Sequence, residues 1–331
     1  MIRAILAAAC LATPACADEA IDRAVEQVIL PAVADFADRT EALAEAAEAD
    51  CTPLSPVLRA AWEGAMEGWL MVQDFRFGPL EATGLREAIA YWPDTRGFRP
   101  RALNRALTTA TGPQSEQDMA GAPISLRGLY AIEAMLFDPR FNTYGAGEPG
   151  CDLVRLMAAD LAGNAALLEE EWEDFAPLLQ GAEAGNATYF NAAEARQALF
   201  TGLVVSMQFD MLERLGLPLG TGGEPRPELA ESRVSGRTLQ NIIDATRGHE
   251  ALALALTDDP ATRAELAADF DDLRERLRAI DDPVLANVSE PAGRFMVDVA
   301  ATAYTAVWTK VNRLLSEELG VTMGVVGFDG D

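Results

Sequence analysis

The sequence contains few residues of the kinds that histidine-rich metal sites, nucleic-acid surfaces and membrane spans require. Its 331 residues include one histidine, His249, and four cysteines. They also include 26 lysines and arginines, against 52 aspartates and glutamates. A single histidine cannot complete a multi-histidine metal site, and a net charge of −26 repels nucleic acid and anionic lipid head groups. No uncharged apolar run reaches the ~20 residues that a membrane-spanning helix needs. We therefore expect no nucleic-acid partner and no transmembrane segment.

The N-terminus has the three-part layout of a cleavable signal peptide. Arg3 is followed by an apolar stretch, by a proline and by a small-residue triplet that ends at Ala17. The sequence therefore predicts a signal peptide over residues 1–17, cleaved after Ala17, and a soluble mature protein in the periplasm or cell envelope. A lipid anchor on Cys10 or Cys16 is the alternative, but neither cysteine follows a convincing lipobox.

Two cysteines, Cys51 and Cys151, remain after removal of the signal peptide, in a compartment where disulfides persist. Two cysteines with no histidine nearby in the sequence make a poor zinc site, and exposed free thiols are a liability outside the cytoplasm. The sequence therefore predicts a disulfide between Cys51 and Cys151, with two free thiols as the alternative.

Apolar residues recur at steps of three and four along most of the mature chain, which is the period of one helical face. One such series runs through Ile21, Val25 and Val28 and continues past Pro31, which predicts a kinked helix rather than a terminated one. No stretch alternates every second residue between turn residues, as a strand would. The sequence therefore predicts an all-α fold.

The mature chain is too long for one comfortable helical core, which favours two bundles. Glycine and proline interrupt any helix between residues 139 and 150. We therefore predict an N-terminal helical bundle over residues 18–142 and a C-terminal helical bundle over residues 143–331, packed together.

Three short motifs follow one another in the first half of the mature chain. They are an Arg-Phe-Gly-Pro segment, a Trp-Pro-Asp segment and a Gly-x-Tyr-x-x-Glu segment that opens a helix. Their defining residues are Arg76, Gly78, Pro79, Trp92, Asp94, Gly128, Tyr130 and Glu133. In this order they resemble the motifs of the imelysin-like family of bacterial envelope proteins. The resemblance implies a two-bundle helical fold, an envelope location and a link to metal ions and iron acquisition; family members have also been classed as metallopeptidases.

The third motif departs from the family pattern, because Tyr130 stands where the family has a histidine. Helical positions three apart share a face, so Tyr130 and Glu133 can point at one place. A phenol must lose its proton to bind metal well, which disfavours zinc hydrolysis, but ferric iron could take a phenolate and a carboxylate together. The alternative is that Tyr130 packs between helices, with its hydroxyl bonded to Glu133 or to a backbone carbonyl.

Other charged residues of the motif region have structural interpretations. A buried arginine can pair bidentately with a carboxylate, so we expect Arg76 to pair with Asp74, Asp94 or Glu133, in a network that either locks the fold or holds Glu133 beside an ion. We expect His249 to be a partly buried residue of a helix, although it could reach a carboxylate-rich pocket from the second bundle.

The sequence has no phosphate-binding glycine loop, no paired zinc-ligand helix and no serine elbow, so no known class of enzyme is supported. We predict an exported imelysin-like protein that is not an enzyme and that binds a metal ion, iron or another, or acts in envelope iron handling. Tyr130 and Glu133 are the predicted metal ligands, at a site that is either active or relict. The alternatives are a metallopeptidase and a module that docks another envelope protein or a polysaccharide through the groove between the bundles.

Overall fold

The computed structural model describes residues 18–108, 112–220 and 223–322. The predicted signal peptide, with its alternative lipid-anchor cysteines, therefore lies outside the described residues. Within them the chain forms helices and no β-strand, which confirms the all-α prediction. The α-helices are α1, made of the segments Glu19–Arg23, Ala24–Ile29 and Leu30–Ala49; α2, Pro56–Val72; α3, Pro79–Ala82; α4, Leu85–Ile89; α5, Phe98–Thr108; α6, Glu116–Ala120; α7, Gly128–Phe137; α8, Pro149–Gln180; α9, made of Ala192–Phe209, Asp210–Leu215 and Gly216–Leu219; α10, Thr238–Ala255; α11, Pro260–Arg278; and α12, Pro291–Leu319.

Two of these helices contain a π-helical turn, in which an amide donates to the carbonyl five residues earlier. In α1 this turn is Ala24–Ile29, and the amide of Leu30 donates to the carbonyl of Val25 just before Pro31. Because proline has no amide hydrogen to donate, the wider turn accommodates it and the helix continues. The helix therefore passes Pro31, as the sequence predicts. In α9 the π turn is Asp210–Leu215, and it carries two charged residues of the site described below.

Helix α8 packs along α1 and against α7. A disulfide joins Cys51, just after α1, to Cys151 in the first turn of α8, with 5.1 Å between the Cα atoms. This confirms the predicted bridge. The predicted division at residue 142 assigns α8 to the C-terminal bundle, whereas its main packing partner is α1 of the N-terminal one. The division into bundles thus stays a prediction, and the packing of α8 favours a later boundary.

Helix α10 connects the halves of the chain, because it packs against α2 on one side and against α9 and α11 on the other. Gly248 makes the approach to α2 possible. A Cβ atom at Gly248 would lie 2.9 Å from the carbonyl oxygen of Leu70, closer than side-chain carbons come to such an atom. The glycine therefore brings His249 to the C-terminal end of α2, where Asp74 lies.

None of the helices in the described part of the chain combines the length and the apolar character needed to cross a bilayer.

Candidate functional site

The Gly-x-Tyr-x-x-Glu motif forms the first turns of α7. Gly128 has a φ of +73°, and a Cβ atom there would lie 2.2 Å from the carbonyl oxygen of Ile89. Only glycine therefore allows α7 to begin this close to the end of α4. Tyr130 and Glu133 are each 3% exposed, and both line one cavity with a volume of about 380 Å³.

Tyr130 packs between helices, and its hydroxyl donates to the Oε1 atom of Glu231. This partner differs from the Glu133 carboxylate or backbone carbonyl expected from the sequence. Arg214 binds Glu231 bidentately, at 2.8 Å from Nε to Oε2 and 3.0 Å from Nη2 to Oε1. Burial raises the pKa of Tyr130 well above its usual value, and the carboxylate of Glu231 raises it further. Tyr130 is therefore a protonated phenol that is already used as a donor.

The contacts of Glu231 continue into a longer chain of buried charges. Arg214 also pairs with Asp210, which accepts a hydrogen bond from the hydroxyl of Tyr304 at 3.0 Å. His249 lies between two carboxylates, with Nε2 at 3.0 Å from Asp210 and Nδ1 at 2.7 Å from Asp74. We call this set the buried network, and none of its members is more than 3% exposed. The buried network consists of Asp74, Tyr130, Asp210, Arg214, Glu231, His249 and Tyr304.

His249 is fully buried, rather than partly buried as expected. Burial alone would lower its pKa, but the carboxylates of Asp74 and Asp210 raise the pKa to about 9. Burial would likewise raise the pKa of Asp210, but Arg214 and His249 hold that pKa below its usual value. His249 is therefore an imidazolium ion at neutral pH. Because both of its nitrogens bond to carboxylates, it offers no free nitrogen to a metal.

Glu133 has a different environment from Tyr130. Its Oε1 atom accepts hydrogen bonds from the hydroxyl of Ser235 at 2.7 Å and from the amide of Ser235 at 3.3 Å. Burial raises the pKa of Glu133 to about 7, although Ser235 and the charge of Arg99 lower it. The Oε2 atom makes no hydrogen bond within the described part of the chain. Glu133 is thus the motif residue with an oxygen available in the cavity.

Of the other motif residues, Trp92 and Asp94 line this cavity, whereas Gly78 and Pro79 do not. Trp92 lines the cavity, with its ring centroid 6.4 Å from that of Tyr130. Asp94 caps α5, because its carboxylate accepts from the amides of Phe98 at 2.8 Å and Arg99 at 2.7 Å. Two further residues, Gly78 and Pro79, begin α3 beside the side chain of Phe175.

Arg76 does not form any of the ion pairs expected for it. Its guanidinium lies 4.5 Å from the ring centroid of Phe209, and its Nε atom has no hydrogen-bond partner among the described residues. Each of the three expected carboxylates contacts another group: Asp74 contacts His249, Asp94 accepts from the amides of α5, and Glu133 accepts from Ser235. The expectation was wrong because tertiary contacts, as well as the backbone amides next to Asp94, supply these carboxylates with other partners.

The arrangement does not fit a metal ion held by protein side chains alone. In residues 18–108, 112–220 and 223–322, no three His, Cys, Asp and Glu side chains are placed to hold one ion. The phenol of Tyr130 donates to Glu231, and both ring nitrogens of His249 contact carboxylates. Glu133 alone offers a carboxylate oxygen, which is too few ligands for a resident ion.

Sequence reasoning missed the three residues that organise the buried network, Asp210, Arg214 and Glu231. One signal was available for two of them. Asp210 and Arg214 are four apart on a helix whose other periodic residues are apolar, and such a pair is expected to be either exposed or mutually neutralising. The approach of Glu231 depends on a long-range contact that local sequence does not contain.

The fold and the motif define an all-helical protein whose motif helix lies at a cavity. Comparison with known proteins identifies the family to which this fold belongs. The family model for imelysin matches residues 29–310, and the chain belongs to the imelysin family. It is 27% identical over 322 residues to the iron-regulated protein A of Synechococcus elongatus, covering 89% of this chain and 85% of that protein.

Two solved structures have the same fold. An imelysin-like protein from Psychrobacter arcticum aligns with a TM-score of 0.75 and 17% identity, covering 92% of this chain and 95% of that one. A putative iron-regulated protein A precursor from Parabacteroides distasonis aligns with a TM-score of 0.72 and 15% identity, covering 91% and 94%. At these identities the two structures show the fold alone.

Proposed function

We propose that this chain is an exported, non-catalytic binding protein that acts in iron handling in the cell envelope, with the cavity beside Glu133 as its binding site. One observation carries the proposal: the family motif opens onto a cavity of about 380 Å³ in which Glu133 keeps a free carboxylate oxygen. Iron is here a cargo rather than a resident cofactor. The link to iron is supported by similarity to a relative named iron-regulated protein A.

The donor set supports binding rather than hydrolysis. Hydrolysis of a peptide at neutral pH by a metallopeptidase needs an ion that lowers the pKa of bound water, held by several protein ligands. The described residues supply no such set. We expect no peptidase activity from the purified protein with or without added zinc. Zinc-dependent cleavage of a protein substrate that disappears in Glu133→Ala would show that the chain is an enzyme.

Metal analysis of protein isolated from its native envelope tests the iron proposal directly. We expect iron to accompany the wild type and to fall several-fold in Glu133→Gln, because that substitution removes the free anionic oxygen of the cavity. Glu171→Gln is the matched control, since Glu171 is an exposed carboxylate on α8 that does not line the cavity. Wild-type protein without iron, from both iron-replete and iron-limited cells, would overturn the proposal.

The export proposal has its own test. The intact mass of protein from the envelope fraction should correspond to a chain that begins at Asp18 and contains the Cys51–Cys151 bridge. A retained N-terminus, or a lipid on a cysteine, would contradict this form of export.

A further inference from the structure

The cavity beside Glu133 has acidic residues in its lining, and each of them already has a partner in the protein. Asp94, Glu133, Asp138 and Glu228 are the four acids of the lining. Asp94 accepts from the amides of Phe98 and Arg99, and Glu133 accepts from the hydroxyl and amide of Ser235. Asp138 pairs with Arg140 at 2.6 Å, and Glu228 pairs with Arg226 at 3.4 Å. Within the described residues, the Oε2 atom of Glu133 is the buried part of this acidic charge that is left without a local donor.

Two arginines in the same lining are not neutralised in this way. Arg99 lies over the ring of Tyr130, 5.4 Å from its centroid, and donates from Nη2 to the carbonyl oxygen of Tyr91 at 2.6 Å. Arg233 is exposed at the cavity. Neither guanidinium forms an ion pair with any acid in the described parts of the chain. Each can therefore accept a carboxylate in a charge-assisted, bidentate pair.

The segment around Arg99 adds to the local positive charge. Residues 96–105 contain four arginines and no acid, in a chain with twice as many acidic as basic residues. A local concentration of one sign of charge at a cavity raises the concentration of oppositely charged ligand there. This segment therefore adds positive charge beside a lining that holds four acids and three arginines.

The remaining lining shows what kind of anion the cavity suits. Trp92, Leu103, Phe141 and Leu217 form apolar walls, and the volume of about 380 Å³ is that of a pocket for a small organic molecule. From this arrangement we propose that the cavity binds a small organic molecule with at least two carboxylates, either free or as its ferric complex, through Arg99 and Arg233. The inference rests on the proposed function and deepens it. A ferric complex brings most of its own iron ligands, which the described side chains do not supply.

Titration calorimetry on the full mature chain tests this, with citrate, ferric citrate and inorganic phosphate as probes. We expect citrate or its ferric complex to bind, and Arg99→Gln and Arg233→Gln each to weaken that binding at least tenfold. Arg101→Gln is the matched control, because it makes the same change of charge in the same basic segment but does not line the cavity. It should change the affinity less than threefold. Since Arg233 is exposed, its variant should fold normally, and thermal unfolding checks both variants.

Each outcome decides the question. Binding of free citrate identifies the acid as the ligand, and binding of ferric citrate alone identifies the complex; either supports the inference. Failure of both forms to bind, phosphate binding as tightly as citrate, or an equal loss in Arg101→Gln would overturn it. Iron in the native protein without citrate binding would leave the proposed function standing and remove only this inference. Citrate binding by a protein that carries no iron in its native envelope would leave this inference standing and remove the proposed link to iron.

Discussion

The buried network and the cavity lining share Tyr130 and use the same kinds of residue in different ways. In the buried network, Arg214 is paired with two carboxylates and is 1% exposed. In the cavity lining, Arg99 and Arg233 form no ion pair within the described residues, although the charges of Glu133 and Asp94 act on Arg99, and Arg233 faces solvent. Composition alone would not separate these regions. Pairing separates them, because a satisfied buried charge holds helices together whereas an unpaired charge at a cavity is available to a ligand.

Tyr130 marks the boundary between the regions. Its hydroxyl belongs to the buried network through Glu231, while its ring lies under Arg99 at the cavity. Tyr130 therefore acts mainly in packing and in orienting a buried carboxylate. Glu133, three residues later, acts at the cavity.

The largest difference between the regions should appear in stability. Arg214→Met leaves Asp210 and Glu231 buried without their main partner, and we expect it to lower the free energy of unfolding by about 3–5 kcal/mol. Arg233→Met should change it by less than about 0.5 kcal/mol, because Arg233 is exposed and unpaired. Denaturant unfolding of both variants measures the two values. Losses of similar size would remove the distinction between network and lining.

A second difference should appear in the dependence of stability on pH. The pKa of His249 is about 9 in the folded protein, above its ordinary value of 6.5, so the folded state binds the proton more tightly. The resulting stabilisation is fully present below pH 6.5 and is lost as the pH rises through 9, by about 3 kcal/mol in total. The free energy of unfolding, measured between pH 6 and pH 9.5, should therefore fall with increasing pH.

His249→Gln separates this contribution from those of other groups. The variant should be less stable at pH 6 and should lose most of the decline between pH 6.5 and 9, because it has no imidazole to titrate. An unchanged pH profile in the variant would show that His249 is not the group responsible.

A smaller loss of stability is expected from a substitution at Tyr130, which the buried network and the cavity lining share. Tyr130→Phe removes a hydrogen bond to a buried carboxylate and should cost about 2 kcal/mol. Tyr144→Phe is the matched control, because the buried hydroxyl of Tyr144 has no partner among the described residues and its loss should cost nothing. Chemical denaturation of the two variants gives the comparison. A cost for Tyr130→Phe no larger than that for Tyr144→Phe would place Tyr130 outside the network.

The sequence was sufficient for the features that local pattern controls. Helical periodicity predicted the all-α fold, the predicted loss of residues 1–17 left Cys51 and Cys151 as the expected pair, and the continued pattern past Pro31 predicted an unbroken helix. The order of the three motifs was sufficient to predict the family. The helices could be predicted because each depends on neighbours in sequence, and the bridge because the expected mature chain has two cysteines.

The buried network could not be predicted, because its contacts join residues far apart in the chain. Tyr130 and Glu231 are 101 residues apart, and Asp74 and His249 are 175 apart. Nothing near His249 in the sequence indicates two carboxylate partners. The expected pairing of Arg76 was wrong for the same reason, since the choice among several nearby carboxylates is made by tertiary contacts.

Addition of ferric iron to the purified protein, followed by visible absorption, tests most directly whether Tyr130 is a structural donor or a metal ligand. A phenol held by Glu231 with a raised pKa should remain protonated. We therefore expect no phenolate-to-iron charge-transfer band, and identical spectra for the wild type and Tyr130→Phe. A band that is present in the wild type and absent from Tyr130→Phe would contradict the assignment of Tyr130 to the buried network and return it to a metal site.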